Sequence, residues 1–234
     1  MGIPPVEQGL LLLQAAYPEI PASHLLDLPI GQRDAILMRL REKTFESSLT
    51  GLAVCPNCGE KVEISFPLSQ LYANDGRYDD QPTLLSDAQP QWIEVAGFKL
   101  SFRLPNSSDL LRLPADRELA RLTLLQTCVI EAHRDGDLVN VTDLSNEVVK
   151  ALTRQMDEAD PLASIHLPLS CLTCKYSWEV MFDILFFFWS EISAWAQRLL
   201  RESHILASAY GWREADILAM SAWRRQKYLE LIGV

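Results

Sequence analysis

Positive charge is scarce in this chain: 21 Lys and Arg face 31 Asp and Glu, a net charge of −10 over 234 residues. Proteins that track phosphate backbones carry the opposite balance, so nucleic acid is a poor expected partner. Long apolar runs are also missing. The most apolar stretch, 180–195, is interrupted by Asp183 and Glu191. It falls short of the roughly 20 apolar residues that a membrane span needs, so a buried amphipathic helix is expected there. The opening MGIPPVEQG has no basic region, and Leu10–Leu13 is too short for the apolar core of a secretion signal. Val6 stands where a myristoylation pattern needs Ser or Thr. A soluble, cytoplasmic protein with no membrane partner is expected. Histidine is rare too, with 4 in the chain, and His24, His133 and His204 are scattered. No Ser/His/Asp or Cys/His grouping, glycine-rich phosphate loop or zinc-protease helix is present, so neither catalysis nor a small-molecule substrate is expected. The acidic groupings Asp79-Asp80 and Asp157-Glu158-Asp160 read as solvated surface.

What is present is enough apolar residue, 48%, to build a sizeable core. Residues 1–50 read as helical, with a short helix over Leu10–Tyr17 ended by Pro18 and another after Pro29. In the second, Ile36, Leu37 and Leu40 share a face, and Arg39, Arg41, Glu42 and Lys43 lie mostly opposite. Residues 51–73 change character. Leu52–Val54 lead into Cys55-Pro56-Asn57-Cys58-Gly59, after which Val62, Ile64 and Phe66 alternate with Lys61, Glu63 and Ser65, the period of a strand. Residues 74–91 are rich in turn formers and read as a loop. A hairpin is expected from Trp92–Val95 and Phe98–Leu104 around Ala96-Gly97. Ser107 or Ser108 is expected to cap a helix. Further helices are expected over Asp116–Arg134, closed by Gly136, and Asp143–Glu158. Residues 163–182 repeat the strand, Cys-x-x-Cys, strand pattern around Cys171-Leu172-Thr173-Cys174. From 183 onward the chain reads as helical: Ile184–Ala209, broken by Gly211, then Trp212–Met220, then Ala222–Ile232 capped by Ser221.

Four of the five cysteines form these two pairs. Thiolates are soft ligands, and four of them satisfy a tetrahedral zinc ion. Each pair at a hairpin tip is the zinc-ribbon arrangement. A simple ribbon separates its pairs by about 20 residues. Here more than a hundred intervene, which is read as an insertion, 74–162, between the two hairpins. That insertion is expected to hold one hairpin and two helices. A redox dithiol is disfavoured because a strand, not a helix, follows Cys58, and because a second pair exists. Disulfides are disfavoured in a cytoplasmic setting. Separate metals are disfavoured because neither pair has neighbouring ligands to complete a shell; His166, near Cys171, alternates with apolar residues and is expected to face solvent. Four thiolates leave no open position for water, so the expected cofactor is one structural Zn2+ held by Cys55, Cys58, Cys171 and Cys174. Cys128 reads as a buried structural thiol.

The stretch from Tyr176 to Glu202 is rich in aromatics, and Trp178, Phe182, Phe186, Trp189 and Trp195 are expected mostly in the core. The tail adds cations at Arg224, Arg225 and Lys227. Its two short helices invite a helix-turn-helix reading, and an acidic protein partner is the other possibility.

Five segments, in order, carry a resemblance: LPIGQRDAILMRLRE, GLAVCPNCGEKVEISF, FRLPNSSDLL, LSCLTCKYSWEVMFDILFFFWSEI and YGWREADILAMSAWRRQKYLELIG. Together they resemble the T-even phage family of baseplate hub assembly chaperones, found in contractile phages and phage-tail-like particles. The resemblance implies a non-enzymatic helper in building a baseplate or central spike. The expected fold is α+β: a split zinc ribbon, an inserted hairpin with helices, and a helical C-terminal region. The expected partners are baseplate hub, spike or tape-measure proteins, engaged through Trp195, Trp212, Trp223, Arg224, Arg225 and Tyr228. The alternative is a zinc-ribbon nucleic-acid adaptor, which needs a basic face around Arg213, Arg224, Arg225 and Lys227.

Overall fold

Proline opens the first helices. In a computed structural model, which describes residues 3–72 and 90–233, α1 (Pro5–Ala16) starts with Pro5 at its first turn, where a missing N–H costs nothing. It stops at Tyr17, which leaves the helical region (φ −131°, ψ 65°) just before Pro18, whose ring disfavours helical backbone in the residue preceding it. A short α2 (Ala22–Asp27), which the sequence reading lacked, precedes α3 (Ile30–Thr44). Ala35, Ile36, Leu37 and Met38 of α3 are all almost wholly buried, so α3 is an inner helix and not a half-exposed one. That buries Arg41 as well, against the expected polar face. Its guanidinium donates to the carbonyls of Glu46 and Ser48, which replaces the water it loses.

Strands β1 (Ser48–Val54) and β2 (Lys61–Pro67) form the first hairpin, followed by α4 (Ser69–Tyr72). The expected loop at 74–91 lies outside the described residues except for its last two. Next come β3 (Gln91–Val95) and β4 (Phe98–Phe102), joined through Ala96 and Gly97, both at positive φ. These are the angles of the two-residue turn that fits a twisted hairpin. Asn106 then caps α5 (Ser107–Leu111), not the two serines that follow it: its side chain accepts from the Asp109 amide and Asp109 accepts from the Asn106 amide. This reciprocal box satisfies two otherwise unpaired donors.

The expected helix Asp116–Arg134 is a helix and a strand. α6 (Arg117–Cys128) ends where β-branched Val129 and Ile130 begin β5 (Val129–Arg134). β5 pairs antiparallel with β4, and Asp135-Gly136, both at positive φ, turn the chain into β6 (Asp137–Leu138). Gly136 therefore closes a hairpin, not a helix. The result is a four-stranded sheet in the order β3-β4-β5-β6, where one hairpin was expected. Against it packs α7 (Asn146–Ala159), capped by Ser145. Phe98, Leu100, Phe102, Val129 and Ala132 of the sheet and Val148 and Leu152 of α7 make one buried cluster. Each large side chain there contributes roughly 1.5–3 kcal/mol.

β7 (Ile165–Ser170) and β8 (Ser177–Phe182) form the second two-stranded hairpin. α8 (Ile184–Tyr210) follows, ended by Gly211 at φ 69°. α9 is confined to Glu214–Leu218, and α10 (Ala222–Leu231) is capped by Ser221.

The chain divides into two compact units, Met1–Leu185 and Phe186–Val234. In the second, Leu206, Ile217 and Leu229 are buried together. Tyr210 stacks on Trp212 at 4.5 Å, and Tyr228 meets Trp212 edge-on at 4.8 Å.

Candidate metal centre

Each cysteine pair is held by the same backbone turn. Gly59 N–H donates to the Cys55 carbonyl (2.9 Å) and Cys55 N–H to the Glu60 carbonyl (2.8 Å). In the second hairpin Lys175 N–H donates to the Cys171 carbonyl (2.9 Å) and Cys171 N–H to the Tyr176 carbonyl (2.9 Å). The fifth residue of both turns is left-handed, Gly59 at φ 76° and Lys175 at φ 59°. Glycine takes that angle freely, whereas a side chain raises its cost by about 1–2 kcal/mol. The hairpins themselves alternate as their sequences require. Val62, Ile64 and Phe66 are half-buried on one face of β2, with Lys61, Glu63 and Ser65 exposed. Phe66 meets Phe182 of β8 edge-on, with ring centroids 6.0 Å apart, so the inner faces of the two hairpins touch.

At the tips the four sulfurs converge. Their ligand atoms all lie within 4.8 Å of one another. Cys55 Sγ is 3.6 Å from Cys174 Sγ, and Cys58 Sγ is 3.6 Å from Cys171 Sγ, across 119 and 113 residues of chain. A disulfide needs about 2.05 Å, and all five cysteines are free. Zinc–sulfur bonds of about 2.3 Å in a tetrahedron place sulfurs about 3.8 Å apart, close to the spacing found. The donor set therefore fits one tetrahedral ion.

Protons divide unevenly over Cys58, Cys171 and Cys174. The Glu60 amide draws Cys58 down, but the sulfurs of Cys174, Cys171 and Cys55 outweigh it and leave Cys58 pushed up to about 12. The Asn57 side chain and then the Tyr176 amide hydrogen-bond Cys174, which falls to about 6. Amides of Cys174 and Thr173 lower Cys171. Sulfurs this close repel one another as thiolates, and a cation among them removes that repulsion. Cys55 and Cys171 are buried, Cys174 half-buried and Cys58 exposed, so the centre lies at the surface. Cys128 is elsewhere, at the end of α6, with burial pushing its thiol up to about 11. His166 is exposed and contacts Ser164, away from the ligand set.

Two residues of the centre were invisible to a search for ligands: Asn57, which crosses from one turn to the sulfur of the other, and Lys175. Aligning the two turns on their cysteines finds the second, because Lys175 then stands opposite Gly59. Leu52, Val54, Leu172 and Met181 on these hairpins are all more than half exposed. Leu172 sits inside its Cys-x-x-Cys turn, where a side chain has no core to enter.

Of the other residues singled out, Trp223 and Arg224 are exposed on α10 and Trp195 is 45% exposed on α8. Trp212 and Tyr228 are half-buried against each other. Arg225 is turned inward: its Nε is 3.1 Å from Glu202 and its Nη1 donates to the Met220 carbonyl at 2.6 Å. Phe182 is buried, whereas Phe186, expected in the core, is 66% exposed. Asp160, expected on a solvated surface, is buried and accepts from the Gly31 amide at 2.9 Å. α9 has five residues, short for the first helix of a helix-turn-helix. Among the described residues no helix is long and apolar enough to cross a membrane.

Residues 11–189 match a protein family described as T4 bacteriophage base plate protein. The match begins inside α1, takes in both cysteine turns and ends within α8, four residues past the boundary between the two units. No curated protein and no solved structure matches the chain.

Proposed function

Because the chain belongs to the T4 bacteriophage base plate protein family, we propose that it is a non-enzymatic, zinc-stabilised assembly chaperone or adaptor for the hub or spike of a contractile-tail baseplate. The observation that carries this reading is the family match, which includes all four clustered cysteines. Zinc supplies a fixed tetrahedral node and no redox chemistry. Its shell, closed by four thiolates, has no position for a reacting water. Its work here is to hold two otherwise marginal two-stranded hairpins together at their tips, since such a hairpin alone is barely stable in water.

The client is a hub, spike or tape-measure protein. Exposed tryptophans are efficient anchors for a protein partner, and Trp195 and Trp223 offer them, with Arg224 beside Trp223. A nucleic-acid adaptor needs a continuous basic face. Arg225 is engaged by Glu202 and Lys227 by Glu230 at 2.8 Å, and Arg224 lies over the Tyr228 ring at 5.8 Å, which breaks up the basic face and favours the protein client.

The test is co-expression of the tagged full chain with candidate hub, spike and tape-measure proteins. One of them is expected to co-purify, and Trp223→Ala or Cys58→Ser to weaken the complex. A folded, metal-loaded chain that binds no tail protein would falsify the assembly role. A DNA complex that weakens steeply with salt would move the reading to the adaptor.

A further inference from the structure

The two cysteine turns are near copies in their backbone hydrogen bonds, yet they differ at the left-handed position, Gly59 in one and Lys175 in the other. A side chain built on Gly59 meets nothing within 4 Å, so glycine there answers to the backbone angle and not to space. Lysine has no such reason to occupy the same angle. Ala96 and Asp135 take such an angle in two-residue hairpin turns, whereas Lys175 takes it beside a cysteine of the cluster. Lys175 is exposed, joins no ion pair among the described residues, and directly follows the ligand Cys174. It is the only Lys or Arg between Cys171 and Phe182; the first hairpin carries Lys61 between Glu60 and Glu63, and the second carries Glu179. A divalent cation in four thiolates leaves two further negative charges at the site.

We propose that Lys175 is the charge partner of the metal centre: its ammonium offsets the excess negative charge of the loaded tetrathiolate. This accounts for a lysine where the backbone favours glycine. Lys175 is a positioning residue and not a ligand, and its role rests on the four-cysteine metal reading above.

The test loads the full chain with Co2+ or Zn2+ and measures affinity by chelator competition at low and high salt, for the unsubstituted chain, Lys175→Gln and Lys175→Arg. Both variants keep a side chain at the strained angle, so only charge differs. At low salt Lys175→Gln is expected to bind metal about two- to fivefold more weakly and Lys175→Arg within about 1.5-fold of the unsubstituted chain. High salt is expected to shrink the Lys175→Gln loss, because exposed charges are screened. Equal affinity for Lys175→Gln at low salt overturns the charge role, as does a loss that ignores salt or is shared by Lys175→Arg. Failure of the unsubstituted chain to take up either metal removes the centre itself, and Lys175's role with it; uptake unaffected by Lys175→Gln removes only the latter.

Discussion

Asp34 lies beside Arg33 on α3, with its Oδ1 2.7 Å from Arg33 Nε. Burial pushes its carboxyl up to about 6; Arg33 opposes the rise, and Asp183 and Asp160 add to it. A folded-state value above the unfolded one means the folded chain binds the extra proton. Stability contributed by the neutral acid is therefore full below about pH 4 and lost as pH rises through about 6. Asp34→Asn is expected to be more stable than the unsubstituted chain by about 1–3 kcal/mol at pH 7.5 and nearly equal at pH 4, by urea titration. Using the difference between the two chains cancels the pH dependence of metal binding, and a gain at pH 4 as large as that at pH 7.5 would refute the argument. Asp109 has the opposite sign. Burial raises it, but hydrogen bonds from Arg103 (2.7 Å to each oxygen) and the Asn106 amide outweigh that and hold its carboxyl below the ordinary value. Its contribution is present at neutral pH and lost as pH falls through that lowered value.

At the scale of the element, α3 shows how a helix can borrow its cap. Pro29 stands at the N-cap and has no side chain to offer, so the Gly31 amide is met by Asp160 from the end of α7, 129 residues away. A Cβ at Gly31 would overlap that carboxylate and come within 2.9 Å of the Ala163 nitrogen. Asp160→Ala is expected to lower stability by about 1–3 kcal/mol, and Gly31→Ala to act at the same contact, so the double variant should cost less than the sum. Additive losses in denaturant titrations would mean that the two residues act separately. α3 is held at the same end by segment 105–107: Ile30 N–H donates to the Pro105 carbonyl at 3.1 Å, and Arg33 Nη1 contacts Ser107 at 3.1 Å. Two of the sequence segments that carried the family resemblance, around Ile30 and Asn106, are thus one contact in space. The strand β5 was missed for a related reason. Glu131, Ala132, His133 and Arg134 all tolerate a helix, and pairing with β4 decides the outcome. The local hints were Val129-Ile130 and the Asp135-Gly136 turn.

For the whole molecule, the four-cysteine centre and the C-terminal unit are expected to be separable sources of order. Chelation of the loaded protein is expected to lower its melting temperature and expose all four ligand thiols, while Cys128 stays shielded at the end of α6. Metal analysis of native protein should return one zinc per chain. Leu206, wholly buried beside Ile217 and Leu229, belongs to the second unit. Leu206→Ala is expected to cost that unit about 2–5 kcal/mol and to loosen it, seen as amide exchange confined to 186–234, with metal stoichiometry unchanged. Metal lost along with Leu206 would show that the two units depend on each other.

The sequence by itself determined the two cysteine pairs, the alternation of the hairpins that carry them and most helix ends, because each is written in short-range spacing or in the identity of a capping or turn residue. The pairing of two turns more than a hundred residues apart was expected from their matching chemistry, and the structure brings them together; only the tertiary structure decided that Asp160 and Arg225 face inward and that residues 129–138 complete a sheet. Those outcomes depend on which partner a backbone or a charge meets, and partners distant along the chain leave no periodic trace in it.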